Sequence, residues 1–167
     1  MKKLTFVALG ANLGSAKTAL LFALASLKQH SAVSGLRCSS IYRTSPVSPI
    51  PQPYYLNAVC QFYTNLSPDD LFCELQLLER LMGQNPKKSS ALPRYLDLDI
   101  LFLGGEAISS SLLEIPHPRW KERLFVLVPL RDLVKEIILP NGQILELDGM
   151  IADLQKLNRE EVSLYET

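Results

Sequence analysis

Residues 93–105 read PRYLDLDILFLGG, and no other stretch restricts the fold as tightly. Leu96, Leu98, Ile100 and Phe102 alternate with the aspartates Asp97 and Asp99. Side chains alternate faces along a strand, so this period predicts a strand with its apolar set on one face and both carboxylates together on the other. The apolar face needs a cover. The acidic face needs water or a cation, because adjacent carboxylates repel and lose hydration together. For two acids at this spacing a solvated face is an equal alternative to a metal site, but the neighbours favour the metal. Arg94 lies just upstream, and His117 and Arg123 follow in EIPHPRWKERLF. Hard divalent cations such as magnesium take oxygen ligands and leave positions open to phosphate. A phosphate site also wants arginines on the oxygens that carry charge.

The flanking segments supply the rest of a sheet and its helices. Residues 4–9 form a buried-strand pattern ended by GANLGS. Ser15 then stands in a capping position ahead of Leu20, Leu21, Leu24 and Leu27, which recur at helical spacing. A polar turn near Ser34 and Gly35 leads to a second strand, LRCSSIYR. TSPVSPIPQPY, with four prolines in eleven residues, excludes helix and central strand alike and reads as a semi-rigid loop. YLNAVCQFYT alternates again, with Leu56, Ala58, Cys60 and Phe62 on one face and Tyr55 and Asn57 on the other. A second helix is bracketed by Ser67, Pro68 and two aspartates at its start and Gly83 at its end.

This order (strand, helix, strand, strand, helix, strand) matches the α+β ferredoxin-like βαββαβ sandwich. That layout has a mostly antiparallel sheet, both helices on one face, and the opposite face left for loops and ligands. A further helix around Phe125 to Leu133 and a hairpin turning at Asn141-Gly142 follow toward the C-terminus. No repeat or linker divides the chain, so residues 1–167 are expected to form one domain.

Charge and cysteine usage narrow the functional class. The formal net charge is zero, so no basic field argues for nucleic acid. Cys38, Cys60 and Cys73 are scattered without a CxxC pair, which suits reduced, buried thiols in a cytoplasmic protein. The apolar run after Lys2 and Lys3 is shorter than a signal-peptide core, and no window reaches the length of a membrane span.

GANLGS does not fit a phosphate-cradling loop: counted from Gly10, Ser15 and Ala16 stand where a Walker motif needs Gly and Lys. It reads as a strand-to-helix turn. His117, between two prolines, has a stiff backbone, and a structural histidine is the plainer reading for it. Tyr55 and Phe125 are of the type that usually fills cores. Yet Tyr55 shares its face with Asn57 and the aspartates, and an aromatic beside an amide suits a flat heterocycle.

The segments ALGANLGS, SSIYRTSPV, YLNAV, PRYLDLDIL and IPHPRWKERLFVLVPL, in this order, resemble the 6-hydroxymethyl-7,8-dihydropterin pyrophosphokinase family of folate biosynthesis, over about residues 4 to 140. The resemblance implies a ferredoxin-like fold and transfer of pyrophosphate from ATP to the pterin's hydroxymethyl oxygen, with release of AMP. It implies that Asp97 and Asp99 bind two Mg2+ ions with ATP, and that Asp97, Asp99 and Arg94 form the catalytic group. Tyr55 and Phe125 would sandwich the pterin, and Asn57, with Thr44, Pro46 and Val47, would read its edge. Gln76, Glu79, Arg94, Ile100, His117 and Arg123 would stand on the nucleotide side. The implied partners are ATP and the pterin alone, with no nucleic acid or membrane, on a monomer.

The chain departs from the family pattern in the loop after Gly83. Two arginines and a tryptophan are usual there, and this chain has Gln84, Pro86 and Ala91, with Leu92 in place of the glycine before Pro93. Pro118 stands where an aromatic is frequent. Lys87 and Lys88 are expected to restore charge on the ATP side, without arginine's bidentate fork. Weaker closure and slower turnover are the expectation. Two other classes compete: a metal-dependent hydrolase with His117 as base, and a ligand-binding module without chemistry.

Overall fold

The computed structural model describes residues 1–84 and 91–166, so Lys87 and Lys88 lie outside the described residues. Its strands and helices follow in the order β1 (Lys3–Ala11), α1 (Ala16–Gln29), β2 (Val33–Cys38), β3 (Tyr42–Thr44), β4 (Tyr55–Thr64), α2 (Pro68–Leu81) and β5 (Asp97–Leu103). The chain continues through β6 (Ile108–Ser109), β7 (Glu114–Ile115), α3 (Leu124–Leu133), β8 (Glu136–Ile138), β9 (Ile144–Glu146), α4 (Leu147–Leu157) and β10 (Val162–Leu164). The expected second strand is broken into β2 and β3 around Ser39, and both pieces pair with β4. The main sheet is antiparallel, with β1 between β4 and β5 and with β10 joined to the edge of β3.

Local chemistry explains the helix ends. Ser67 caps α2 by accepting the Asp70 N–H at 3.1 Å, with Asp69 and Asp70 in the positive first turn. Gly83, at φ +89°, supplies the left-handed residue that ends it. Ser15 occupies the N-cap of α1, but its hydroxyl pairs with Thr18 Oγ1 instead of a backbone N–H.

α1 and α2 cover one face of the sheet, as the alternation predicts. Ala19, Leu20, Ala23 and Leu27 from α1 and Leu71, Leu75 and Leu78 from α2 pack on Val7, Leu9, Ala58, Cys60, Phe62, Leu98 and Ile100. Each large apolar side chain buried this fully contributes about 1.5–3 kcal/mol.

The expected alternation fails at one point in β5. Its register against β1 shifts between Phe6, opposite Phe102, and Val7, opposite Ile100, leaving Leu101 as an extra residue. A bulge of this kind turns the following side chains over. Phe102, expected beside Leu98 and Ile100, therefore lies on the other face with Leu101, where both pack with Phe6, Val59, Trp120, Val126, Leu127 and Leu130. The second face is thus not left entirely to loops. α3 and Trp120 cover the half next to Phe6 and Phe102, and the half bearing Asp97 and Asp99 stays uncovered.

Candidate active site

The uncovered half of the second face is a cleft of about 450 Å3. Its floor follows from strand register: Gly10 of β1 lies between Asn57 of β4 and Asp97 of β5, and Ala8 lies between Val59 and Asp99. Two small residues between an amide and two carboxylates leave room above the sheet. At Gly10 the restriction is strict, because a Cβ would stand 2.7 Å from Asn57 Oδ1. Asn57 is itself held in place: its Nδ2 donates to Thr44 Oγ1 at 2.6 Å, and both side chains are buried.

Thr44, Val47, Gln52 and Tyr55 line the cleft together with Arg123, Phe125, Asn158 and Glu160. Gln52 Oε1 accepts hydrogen bonds from the Tyr55 hydroxyl at 3.2 Å and from Asn12 Nδ2 at 2.9 Å, and so fixes the Tyr55 ring. The Arg123 guanidinium lies 5.4 Å from the centre of the Phe125 ring. The sequence-predicted pair of aromatics, Tyr55 and Phe125, lines the same cleft as Asn57.

Each carboxylate on the floor has an arginine beside it. Arg94 Nη1 lies 3.2 Å from Asp97 Oδ1, while Arg123 Nη1 and His117 Nε2 each lie 3.7 Å from Asp99 Oδ2. Burial, then the charge of Asp99, raises Asp97 to about 6, although Arg94, Arg123 and His117 pull it back. Burial likewise raises Asp99 against the pull of Arg123 and Arg94. Both side chains are 37% exposed, so the pair is open to ligand as well as to its own cations. Burial and the Arg123 charge lower His117 to about 4, which leaves it neutral at pH 7. Its Nδ1 accepts the Arg119 N–H at 3.1 Å, directing Nε2 toward Asp99. Arg94 Nε is buried with no hydrogen-bond partner.

Other predicted site residues stand elsewhere. Ile100 is on the helix-covered face and lines a second cleft, of about 290 Å3, that shares Asp99 and His117 with the first. Glu79 lies behind β5, where its Oε1 accepts the Leu98 N–H at 2.7 Å; burial raises it to about 7. Gln76 accepts from Arg80 at 3.3 Å, and neither it, Glu79 nor Pro46 lines either cleft. Gln84, where an arginine was expected, is buried, and its Oε1 accepts the Tyr95 N–H at 3.0 Å. Its side chain is thus committed to the backbone ahead of β5.

Sequence reasoning missed Gly10, Gln52, Glu160 and the residues 110–114 that line the second cleft. Only Gly10 carried a signal, a glycine inside a strand pattern, and that signal was absorbed into the turn reading of GANLGS.

Paired carboxylates flanked by arginines, in one cleft with two aromatic rings, are groups suited to phosphoryl transfer. Residues 6–135 match the family model for 7,8-dihydro-6-hydroxymethylpterin-pyrophosphokinase (HPPK). The 2-amino-4-hydroxy-6-hydroxymethyldihydropteridine pyrophosphokinase of Haemophilus influenzae is 40% identical over 156 residues, which is 92% of this chain and 97% of that protein. Its Bacillus subtilis counterpart is 39% identical over 137 residues, 82% of this chain and 81% of the relative. A crystal structure of HPPK-DHPS in complex with substrates matches in fold, with a TM-score of 0.70 at 14% identity over 94% of this chain and 44% of that one. The chain belongs to the 7,8-dihydro-6-hydroxymethylpterin-pyrophosphokinase family. Pyrophosphoryl transfer from ATP to hydroxymethyldihydropterin, a step of folate biosynthesis, is the activity of that family.

Proposed function

We propose that the central cleft performs this transfer, with 6-hydroxymethyl-7,8-dihydropterin between Tyr55 and Phe125 and the ATP triphosphate above Asp97 and Asp99. The observation that carries the reading is the shared floor: one strand row presents Asn57, Gly10 and Asp97 in register, so a flat ring and a metal-bound phosphate chain fit side by side. The buried, unpartnered Arg94 Nε adds a donor that an anionic ligand would satisfy.

The donor set fits magnesium. Asp97 and Asp99 are hard oxygen ligands whose mutual repulsion a cation relieves. Among the described residues no group of three or more His, Cys, Asp or Glu side chains converges, so the other coordination positions fall to phosphate and water. Two Mg2+ ions bound there would neutralise the triphosphate and lower the pKa of the pterin hydroxyl.

The protein's own groups orient the reaction. Asn57, with its Nδ2 committed to Thr44, keeps its Oδ1 for a donor on the pterin edge. Tyr55 and Phe125 hold the ring so that the hydroxymethyl oxygen points along the floor toward the β-phosphorus. The new O–P bond would form there as the hydroxyl O–H bond and the bond from the β-phosphorus to the bridging oxygen break, so that AMP leaves with the bridging oxygen and the proton passes to water. Arg94 and Arg123 offset charge on the transferring group, and positioning supplies most of the rate. His117, neutral and with its Nδ1 accepting the Arg119 N–H, carries its proton on Nε2 and donates a hydrogen bond at the phosphate end. With Gln84 committed to Tyr95, loop closure over ATP is weaker and turnover slower than in relatives with arginine there.

We read the β5-β1-β4-(β2, β3) order as ferredoxin-like and residues 1–167 as one catalytic domain. Three free thiols suit the cytoplasm, although only Cys60 is buried as expected, Cys38 being half-buried and Cys73 exposed on α2, and among the described residues no helix is long and apolar enough to cross a membrane. The test is incubation with ATP, Mg2+ and 6-hydroxymethyl-7,8-dihydropterin. AMP and the pterin diphosphate in equal amounts are expected; ADP, or phosphate without pterin consumption, would overturn the reading.

A further inference from the structure

We propose that the C-terminal segment, residues 158–165, is a strap that sets the width of the pterin slot, with Glu160 as its positioning residue. The inference rests on the pterin reading above and concerns how that slot is held.

The first N–H groups of a helix lack intrahelical partners and need a cap. At α3 the N-cap residue, Arg123, gives no side-chain cap; its guanidinium is turned toward Asp99. Glu160 supplies what is missing. Its Oε1 accepts the Phe125 N–H at 2.9 Å and its Oε2 accepts the Leu124 N–H at 3.1 Å. A carboxylate at the positive end of a helix makes charge-assisted bonds there. Asn158 Nδ2 donates to the same Oε2 at 3.3 Å and fixes the carboxylate in turn. Phe125, which lines the slot, is thus tied by its own backbone to the tail.

The next residue in the tail is bonded to the segment that brings Thr44 and Ser45 to the cleft. Glu161 N–H donates to Ser45 Oγ at 2.9 Å, and Ser45 N–H donates to the Glu161 carbonyl at 3.0 Å. The Tyr54 hydroxyl donates to Glu161 Oε2 at 3.0 Å. Val162 then pairs with Thr44, the residue that orients Asn57, and Tyr165 N–H donates to the Ile41 carbonyl at 2.9 Å. Consecutive Cα atoms are about 3.8 Å apart. One short stretch of chain therefore fixes Phe125 relative to Thr44 and Ser45, in a cleft whose lining includes Asn158 and Glu160.

A cap that merely stabilised α3 would change melting and not discriminate between substrates. A strap on the slot changes pterin affinity more than ATP affinity, because Arg123 keeps its partner Asp99 and a long side chain that reaches phosphate. The experiment measures dissociation constants for 6-hydroxymethyl-7,8-dihydropterin and for a non-hydrolysable ATP analogue with Mg2+, on the full chain and on Glu160→Ala and Glu160→Gln. Glutamine keeps one acceptor and the shape, so it folds even where alanine does not. Alanine is expected to weaken the pterin about tenfold and glutamine about threefold, with the ATP analogue changed less than about twofold in both. Pterin affinity unchanged in Glu160→Gln and in any folded Glu160→Ala, or equal losses for both ligands, would overturn the strap while leaving the function standing. A parent chain that does not bind the pterin would overturn the function reading and the strap with it.

Discussion

On the face toward α1 and α2, strands β1, β4 and β5 present Val7, Leu9, Ala58, Cys60, Phe62, Leu98 and Ile100, none more than 6% exposed. On the opposite face the same strands present Phe6, Val59, Leu101 and Phe102 under α3 at one end, and Gly10, Asn57, Asp97 and Asp99 at the other. The first face is packed for stability alone. The second gives up half of that packing: it keeps a glycine where a side chain would fill space and holds two carboxylates whose proton affinity burial raises. The bulge at Leu101 makes the division possible within one strand, returning β5 to apolar packing two residues after Asp99. The ligand face is thus stable by virtue of what surrounds it.

The sharpest way to break this comparison is to neutralise the floor. Asp97→Asn combined with Asp99→Asn should lower turnover by roughly 10³-fold or more, read as AMP release, while the protein stays folded. Next in size is the dry face: Phe62→Ala should cost about 3–5 kcal/mol in denaturant unfolding and leave pterin affinity per folded molecule unchanged. Gly10→Ala places a methyl group against Asn57 Oδ1. Calorimetry should show pterin affinity falling about tenfold as the amide is turned from its Thr44 bond, with ATP affinity retained.

The smallest effect concerns pH in metal-free protein. Asp97 rises from 3.8 to about 6 and Glu79 from 4.5 to about 7 on folding, so across those windows the folded chain holds protons the unfolded chain has lost. Their contribution is present at low pH and is lost as pH rises through the folded values. His117 falls from 6.5 to about 4, so its contribution has the opposite sign and is lost as pH falls through that interval. Above pH 6.5 the Glu79 titration prevails, and melting temperature should fall by a few degrees from pH 6.5 to pH 8. Glu79→Gln, which keeps an acceptor for the Leu98 N–H, should flatten that slope.

Much of this organisation was legible because it is periodic. Alternation in β4 and β5 put Asn57, Asp97 and Asp99 on one face and Phe62, Leu98 and Ile100 on the other, and pairing of the strands keeps those faces. Phe102 was misplaced because an extra residue such as Leu101 leaves the period intact in the sequence and breaks it only in register. α3 was legible as a helix from its apolar spacing. Its position over Phe6 and Phe102 is a tertiary outcome that the spacing does not encode. Glu160 was invisible for a similar reason: its partners are backbone N–H groups 35 or more residues away, and backbone groups leave no residue-specific trace.

The most direct measurement is thermal melting at pH 8 of the parent and the Asp97→Asn, Asp99→Asn double variant, each alone and with Mg2+ plus a non-hydrolysable ATP analogue. If the carboxylates are held together for a cation and a triphosphate, the unliganded variant melts above the parent and only the parent is stabilised by the ligands. A variant that melts below the parent, or that gains as much from Mg2+ and the analogue, would contradict the account.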